Sequence, residues 1–246
     1  MTKNINLARQ RVAAAKGLLF DMNNTVVFMD NIDFAVFYHP LKDTYGIEIT
    51  YPDFLKHTGK RCAEVFKELV REHTNQIPDN VQVKKLCQEA WQLKRHLLSD
   101  PKSIKRVRLA PGIVTFLTWA KKQGKHLAIV TSTAKKYVPT ILEAVGLKEF
   151  FDVIVTADDV IHGKPHPEPF LTGLEWLGLT PGQAVAFEDS VAGAKSAKAA
   201  GLFVVGFLTP GQNNSIIDSA DAVITDYRQL LGDWPPEAES SYRHAI

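Results

Sequence analysis

Six short apolar runs that do not alternate with polar residues constrain this chain more than any other feature. They are Gly17–Phe20, His126–Val130, Val153–Val155, 184–187, 202–207 and Ala222–Ile224. A strand with one face in water alternates in polarity, whereas a continuous apolar run suits a strand buried on both faces. Amphipathic helical stretches lie between the runs. Pro111 and Gly112 open one, with Ile113, Phe116, Leu117 and Ala120 at helical spacing and Gly124 closing it. Pro167 and Pro169 open another, closed by Gly178, and an Ala- and Lys-rich stretch over 191–200 ends at Gly201. Strands alternating with helices predict an α/β fold, a doubly wound parallel sheet.

The rhythm breaks after the first run, and the next core strand is expected only after about Arg108. In between, Cys62, Val65, Phe66, Leu69 and Val70 share one helical face, and Leu86, Cys87, Ala90, Leu93 and Leu97 share another. The layout predicted is a core of 17–30 and 108–231 with a helical insertion over 31–107. Crossings near Asp30 and Arg108 are expected to act as hinges. Pro40 is expected to kink or end the helix begun near Asn31. Residues 1–16 are basic but lack the apolar stretch of a secretory signal, so they read as a frayed or helical extension rather than a leader. Residues 232–246, with Pro and Ser and no periodicity, read as a poorly ordered tail.

At 246 residues, 45% hydrophobic and 23% charged, the chain can bury a core and is no disordered, collagen-like or coiled-coil sequence. Its 29 basic against 27 acidic residues do not mark a nucleic-acid binder. No apolar run approaches the roughly 20 residues of a membrane helix. The two cysteines, Cys62 and Cys87, form no metal or disulfide pattern and read as buried packing in a reducing, cytoplasmic setting. Trp91, Trp119 and Trp176 read as core. A monomer or dimer is expected.

Ligands of a doubly wound sheet sit beyond the carboxyl ends of its strands. The first strand ends in Asp21-Met22-Asn23-Asn24-Thr25 and the second run in Thr131-Ser132-Thr133. A later loop holds Gly163-Lys164-Pro165, and the fourth run leads to Glu188-Asp189-Ser190. Carboxylates, a hydroxyl and an ammonium on one rim suit phosphoryl transfer. A carboxylate such as Asp21 can attack phosphorus. A hard cation on Asp21 and Asp189, with Lys164, would quench the repulsion between the two anions. The Thr131 hydroxyl and neighbouring backbone N–H groups can hold phosphoryl oxygens. Singly, each residue type is common in loops and caps; their order along the strands singles them out.

On these residues the chain resembles the haloacid dehalogenase superfamily, in particular its β-phosphoglucomutase-like and phosphoglycolate-phosphatase-like members with a helical cap. Residues 20–25 look like that family's first motif and 129–132 like its second. Residues 163–170 look like part of the third and 187–193 like the fourth. The resemblance implies a Rossmann-like core, a nucleophile at Asp21, and Mg²⁺ held by Asp21, Asp189 and the Asn23 main-chain carbonyl. Glu188 would help directly or through water. Thr131 and Lys164 would hold the phosphoryl group, with Ser132, Thr133 and Asn24 beside it. The implied activity is hydrolysis of a small phosphorylated metabolite, such as a sugar phosphate. A silent phospholigand-binding protein and a phosphosugar mutase are the alternatives.

Asn23 departs from the family pattern, which has aspartate there to protonate the leaving oxygen and activate water. An amide cannot shuttle that proton. General acid–base help is worth about 10²–10⁴-fold, so its loss raises the barrier by roughly 3–5 kcal/mol. An engineered trap, a naturally impaired phosphatase and substrates with good leaving groups are three open explanations. Asn24 stands where the family often has glycine, and asparagine tolerates the left-handed backbone such a turn needs. The stretch Thr58-Gly59-Lys60-Arg61 resembles the cap loop facing the active site, so Lys60 or Arg61 is expected against substrate. Asp30 or Asn31 is expected on the hinge side of the pocket. The mutase relatives carry a histidine shortly after the first motif; residues 30–34 have none, which favours hydrolysis. His162 and His166 flank Lys164 and read as loop packing. No G-x-S-x-G or G-x-G-x-x-G is present.

Overall fold

The protein was analysed as a computed structural model describing residues 3–57, 59–208 and 216–232. Its strands are β1 (Gly17–Phe20), β2 (Val27–Phe28), β3 (Arg108–Leu109), β4 (His126–Val130), β5 (Val153–Val155), β6 (Ala184–Glu188), β7 (Phe203–Phe207) and β8 (Ala222–Ile224). Six of them form a parallel sheet in the order β5-β4-β1-β6-β7-β8. Each apolar run splits its side chains between two cores. Leu18, Phe20, Ile129, Phe187 and Phe207 enter one, while Leu19, Val130, Ala186 and Val204 enter the other. This two-sided burial is why the runs do not alternate. On the first face Phe20 stacks on Phe187 with centroids 4.6 Å apart, and Tyr227 packs beside both.

The helices are α1 (Ile5–Ala14), α2 (Asp30–Tyr45), α3 (Tyr51–Leu55), α4 (Cys62–Thr74), α5 (Asn80–Ser99), α6 (Pro101–Ile104), α7 (Ile113–Lys122), α8 (Val138–Ala144), α9 (Glu168–Leu177), α10 (Val191–Ala199) and α11 (Ile216–Ser219). Helices α2 to α6 stand between β2 and β3. The latter two pair antiparallel, with Val27 opposite Leu109, where the chain leaves and re-enters the sheet region. At two residues each they are too short to show a period, and the sequence reading passed over them.

Two expectations need correction. Helix α2 runs through Pro40, because Ile32, Val36, Pro40 and Leu41 are buried and tertiary packing outweighs the lost hydrogen bond. Of the two readings of the N-terminal stretch, frayed or helical, residues 5–14 take the helical one: α1 buries Ala8 and Val12, and Lys3 bridges to Val223 of β8. Trp176 is 48% exposed on α9 rather than core. The tail expectation over 233–246 and Thr58 fall outside the described residues. No helix among the described residues is long and apolar enough to cross a membrane.

Candidate active site

The sheet order reverses at β1, whose neighbours β4 and β6 follow it by separate crossovers. Side chains beyond the carboxyl ends of β1 and β6 therefore face one crevice. Asp21 follows β1, and Glu188 and Asp189 follow one another at the end of β6. The loop before α9 brings in Lys164, only 1% exposed. Its Nζ donates to Asp21 Oδ1 at 2.6 Å, to Glu188 Oε1 at 2.5 Å and to the Val130 carbonyl at 2.9 Å. All three donor hydrogens of the ammonium are thereby used.

Glu188 is fixed at both oxygens. Its Oε2 accepts from the Asp189 and Ser190 N–H groups and from Ser190 Oγ, at 3.0–3.1 Å. Ser190 Oγ in turn accepts the Gly193 N–H and caps α10. A side chain at Gly193 would place its Cβ 1.8 Å from Glu188 Oε1, so only glycine lets the helix approach the carboxylate.

Burial dominates the ionisation of these groups. It pushes the Asp21 carboxyl up to about 7, with Lys164 pulling against it and Glu188 adding to it. Burial also raises Asp189 well above the usual carboxylate range, with Asp21 and Glu188 contributing. For Lys164 burial opposes the charge, but Asp21 and Glu188 outweigh it and hold the ammonium protonated. Carboxylate oxygens of Asp21, Glu188 and Asp189 lie within 4.8 Å of one another. Three carboxylates against one ammonium leave a surplus of negative charge on hard oxygen donors. That donor set fits a hard divalent cation.

The other expected residues are placed as follows. Asn23, Asn24, Thr131, Ser132, Thr133 and Lys60 line the same pocket as Asp21 and Asp189, with about 760 Å³ of empty space, its open mouth included. Asn24 has φ 61°, and its N–H donates to the Val27 carbonyl at 2.7 Å, turning the chain into β2. The Asn23 and Asn24 Oδ1 atoms are buried without a partner among the described residues. Thr131 Oγ1 accepts the Thr133 N–H at 3.1 Å. Ser132 Oγ donates to the Gly59 carbonyl at 2.9 Å and ties core to insertion.

Arg61 is turned away from this pocket: its guanidinium donates to the Ala157, Val160 and Ile161 carbonyls on the core. Of the expected pair, Lys60 or Arg61, Lys60 is the one that lines the pocket. Asn31 lines a separate small cleft with Arg106 and Arg108. His162 and His166 lie beside each other with tilted rings, 4.6 Å between centroids, outside the pocket.

The sequence reading missed the far wall. Asp33 of α2 and Lys94 of α5 are buried there as an ion pair at 2.8 Å, beside Phe37, Phe54 and Trp91. A signal existed. Lys94 interrupts the buried row Leu86, Ala90, Lys94, Leu98 at four-residue spacing, and Asp33 precedes Val36 and Phe37 on α2.

Residues 18–207 match the family model described as haloacid dehalogenase-like hydrolase. Protein CbbY of Rhodobacter capsulatus is 31% identical over 207 residues, 80% of this chain and 86% of that protein. Pyrophosphatase PpaX of Bacillus cereus (strain AH820) is 30% identical over 173 residues, 70% of this chain and 74% of that one. In fold the chain is similar to the crystal structure of β-phosphoglucomutase from Clostridium difficile. The TM-score is 0.76 at 20% identity, covering 88% of this chain and 93% of that chain. A family model spanning the sheet from β1 to β7, and a relative matching across both sheet and insertion, lead to one conclusion: this chain belongs to the haloacid dehalogenase-like hydrolases.

Proposed function

We propose that the chain hydrolyses a phosphate monoester of a small molecule through a covalent aspartyl-phosphate on Asp21. The observation that carries this reading is the placement of Asp21, beyond β1 at the pocket floor with Lys164 on one oxygen and Asp189 nearby. Lys164 holds Oδ1, which leaves Oδ2 to attack phosphorus as the ester P–O bond breaks. Water then attacks the same phosphorus, the Asp21–phosphorus bond breaks, and inorganic phosphate leaves. The Thr131 hydroxyl orients a phosphoryl oxygen, while Lys164, its three hydrogens spent on Asp21, Glu188 and the Val130 carbonyl, fixes Asp21 and supplies positive charge. Asp21 and Asp189, with the Asn23 carbonyl, would hold Mg²⁺; Glu188, with both oxygens engaged by protein donors, would act through water. Bound there, Mg²⁺ neutralises the anionic oxygens and keeps Asp21 ionised at neutral pH. Helices α2 to α6 serve as a cap that excludes water over the site.

Asn23 cannot give the leaving oxygen its proton, so that proton comes from solvent and turnover is slow. A phosphate-release screen of metabolite phosphates, with and without Mg²⁺, tests the reading. Asn23→Asp is expected to raise Mg²⁺-dependent release at least tenfold, and equal rates for both forms overturn the role given to this position. The amide also favours a second reading, a phospholigand-binding protein. A burst of product equal to enzyme followed by a stall supports attack by Asp21; tight binding with no burst supports the binding protein.

A further inference from the structure

The reaction centre is not the only part of the pocket with a legible charge pattern. Its far half, formed by the cap, is lined by Val36, Phe37, Phe54, Val65, Ala90 and Trp91. Among the described residues, the two lysines that line it are already matched, and its histidine is held between carboxylates. Lys94 Nζ is 2.8 Å from Asp33 Oδ1, with both side chains at most 10% exposed. Lys60 Nζ is 2.5 Å from Glu68 Oε2. His57 sits between Glu68 and Glu72 at 2.6 and 3.1 Å. Arg61, the remaining cation of the cap loop, spends its guanidinium on main-chain carbonyls of the core.

A second anionic group on the ligand would meet, beside each lysine, the carboxylate that already neutralises it, and would be repelled by that carboxylate. Displacing Asp33 from its buried pair instead would leave a buried charge uncompensated. The Asp33–Lys94 pair as a whole is neutral. The ammonium uses one of its three hydrogens on Asp33 Oδ1, so it retains hydrogen-bonding capacity for an uncharged hydroxyl.

Building on the phosphohydrolase reading, we infer that the substrate is the monophosphate of an uncharged alcohol with an apolar or aromatic face, and that Asp33 and Glu68 select against a second anion. Bisphosphates and carboxylated phosphate esters are the excluded class. Phe37, Phe54 and Trp91 receive the apolar face, and Trp91 is fixed for this by stacking on Tyr137 at 4.8 Å.

Calorimetric binding of non-hydrolysable phosphonates to the full chain in Mg²⁺ tests this without requiring turnover. Benzylphosphonate is expected to bind at least tenfold tighter than its 3- and 4-carboxy derivatives. Asp33→Asn, which frees the Lys94 charge, and Glu68→Gln, which frees Lys60, are each expected to narrow that ratio at least tenfold. Glu68 is partly exposed, so its variant keeps the test usable should Asp33→Asn not fold. Equal or tighter binding of a carboxylated ligand, a ratio that neither variant moves, or no binding of any of the three overturns the inference. Phosphate release from the matching esters by the Asn23→Asp form reports separately on chemistry. A preserved binding preference without release supports the inference about the pocket and overturns only hydrolysis.

Discussion

Glu188 shows how one residue can carry both structure and charge at this site. Its carboxylate anchors Lys164 on one side and the turn into α10 on the other, and Gly193 leaves the room it needs. Gly193→Ala is therefore expected to force the carboxylate or the helix to move. Overpacking costs about 1–3 kcal/mol, read as a lower denaturation midpoint in urea. Phosphate release by the Asn23→Asp form should fall with it, because Lys164 loses its alignment. An unchanged midpoint would show that α10 can shift freely away from Glu188. Most of these residues could be read from sequence, since each follows a recognisable strand. Asp33 and Lys94 were not, because their meaning depends on two helices distant in sequence meeting in one wall. Residues 58–61 suggest Lys60 or Arg61 as a ligand contact by resemblance to a cap loop, but the direction of the Arg61 side chain is invisible in sequence.

Among elements, the link between the inserted helices and the sheet matters most. Arg61 at the start of α4 reaches the carbonyls after β5, Ser132 reaches the Gly59 carbonyl, and Trp91 of α5 stacks on Tyr137. These contacts hold the insertion down over the pocket. Arg61→Met keeps an apolar stem of similar length but removes the donors. It is expected to raise KM about tenfold with a smaller change in kcat, and to speed proteolytic cleavage near residues 57–61. Unchanged KM and unchanged cleavage would show that Arg61 does not hold the cap. Strands β1 and β4 to β8 were legible because burial on both faces leaves an unbroken apolar run. Helix α2 continued through Pro40 against local expectation, since its buried face packs well enough to carry the defect. Strands β2 and β3 exist only as a pair, so neither sequence segment announces them alone.

At the scale of the whole molecule, the site concentrates negative charge that the fold must tolerate. Burial raises Asp21 in the folded state to about 7, from an ordinary carboxyl value of 3.8, and raises Asp189 as well. A carboxyl whose folded pKa is raised binds its proton more tightly when folded. Its stabilising contribution is full below the unfolded value and is lost as pH rises through the folded one. Metal-free protein is thus expected to lose stability between about pH 4 and pH 7 from Asp21, with Asp189 acting in the same direction. Added Mg²⁺ should offset that loss, because it binds the ionised form. The rise in Tm with millimolar Mg²⁺ should therefore be larger at pH 8 than at pH 5.5. A rise independent of pH would mean that these carboxylates do not bind the cation.

The sequence by itself determined the sheet, the inserted helices and the order of chemistry-bearing residues along the strand ends. Those properties follow from local periodicity and from position relative to each strand. Only the tertiary structure decided which side chains share a wall, which cations are already neutralised, and which way Arg61 turns. Such properties depend on segments far apart in the chain coming within hydrogen-bond distance, and no local pattern encodes that meeting.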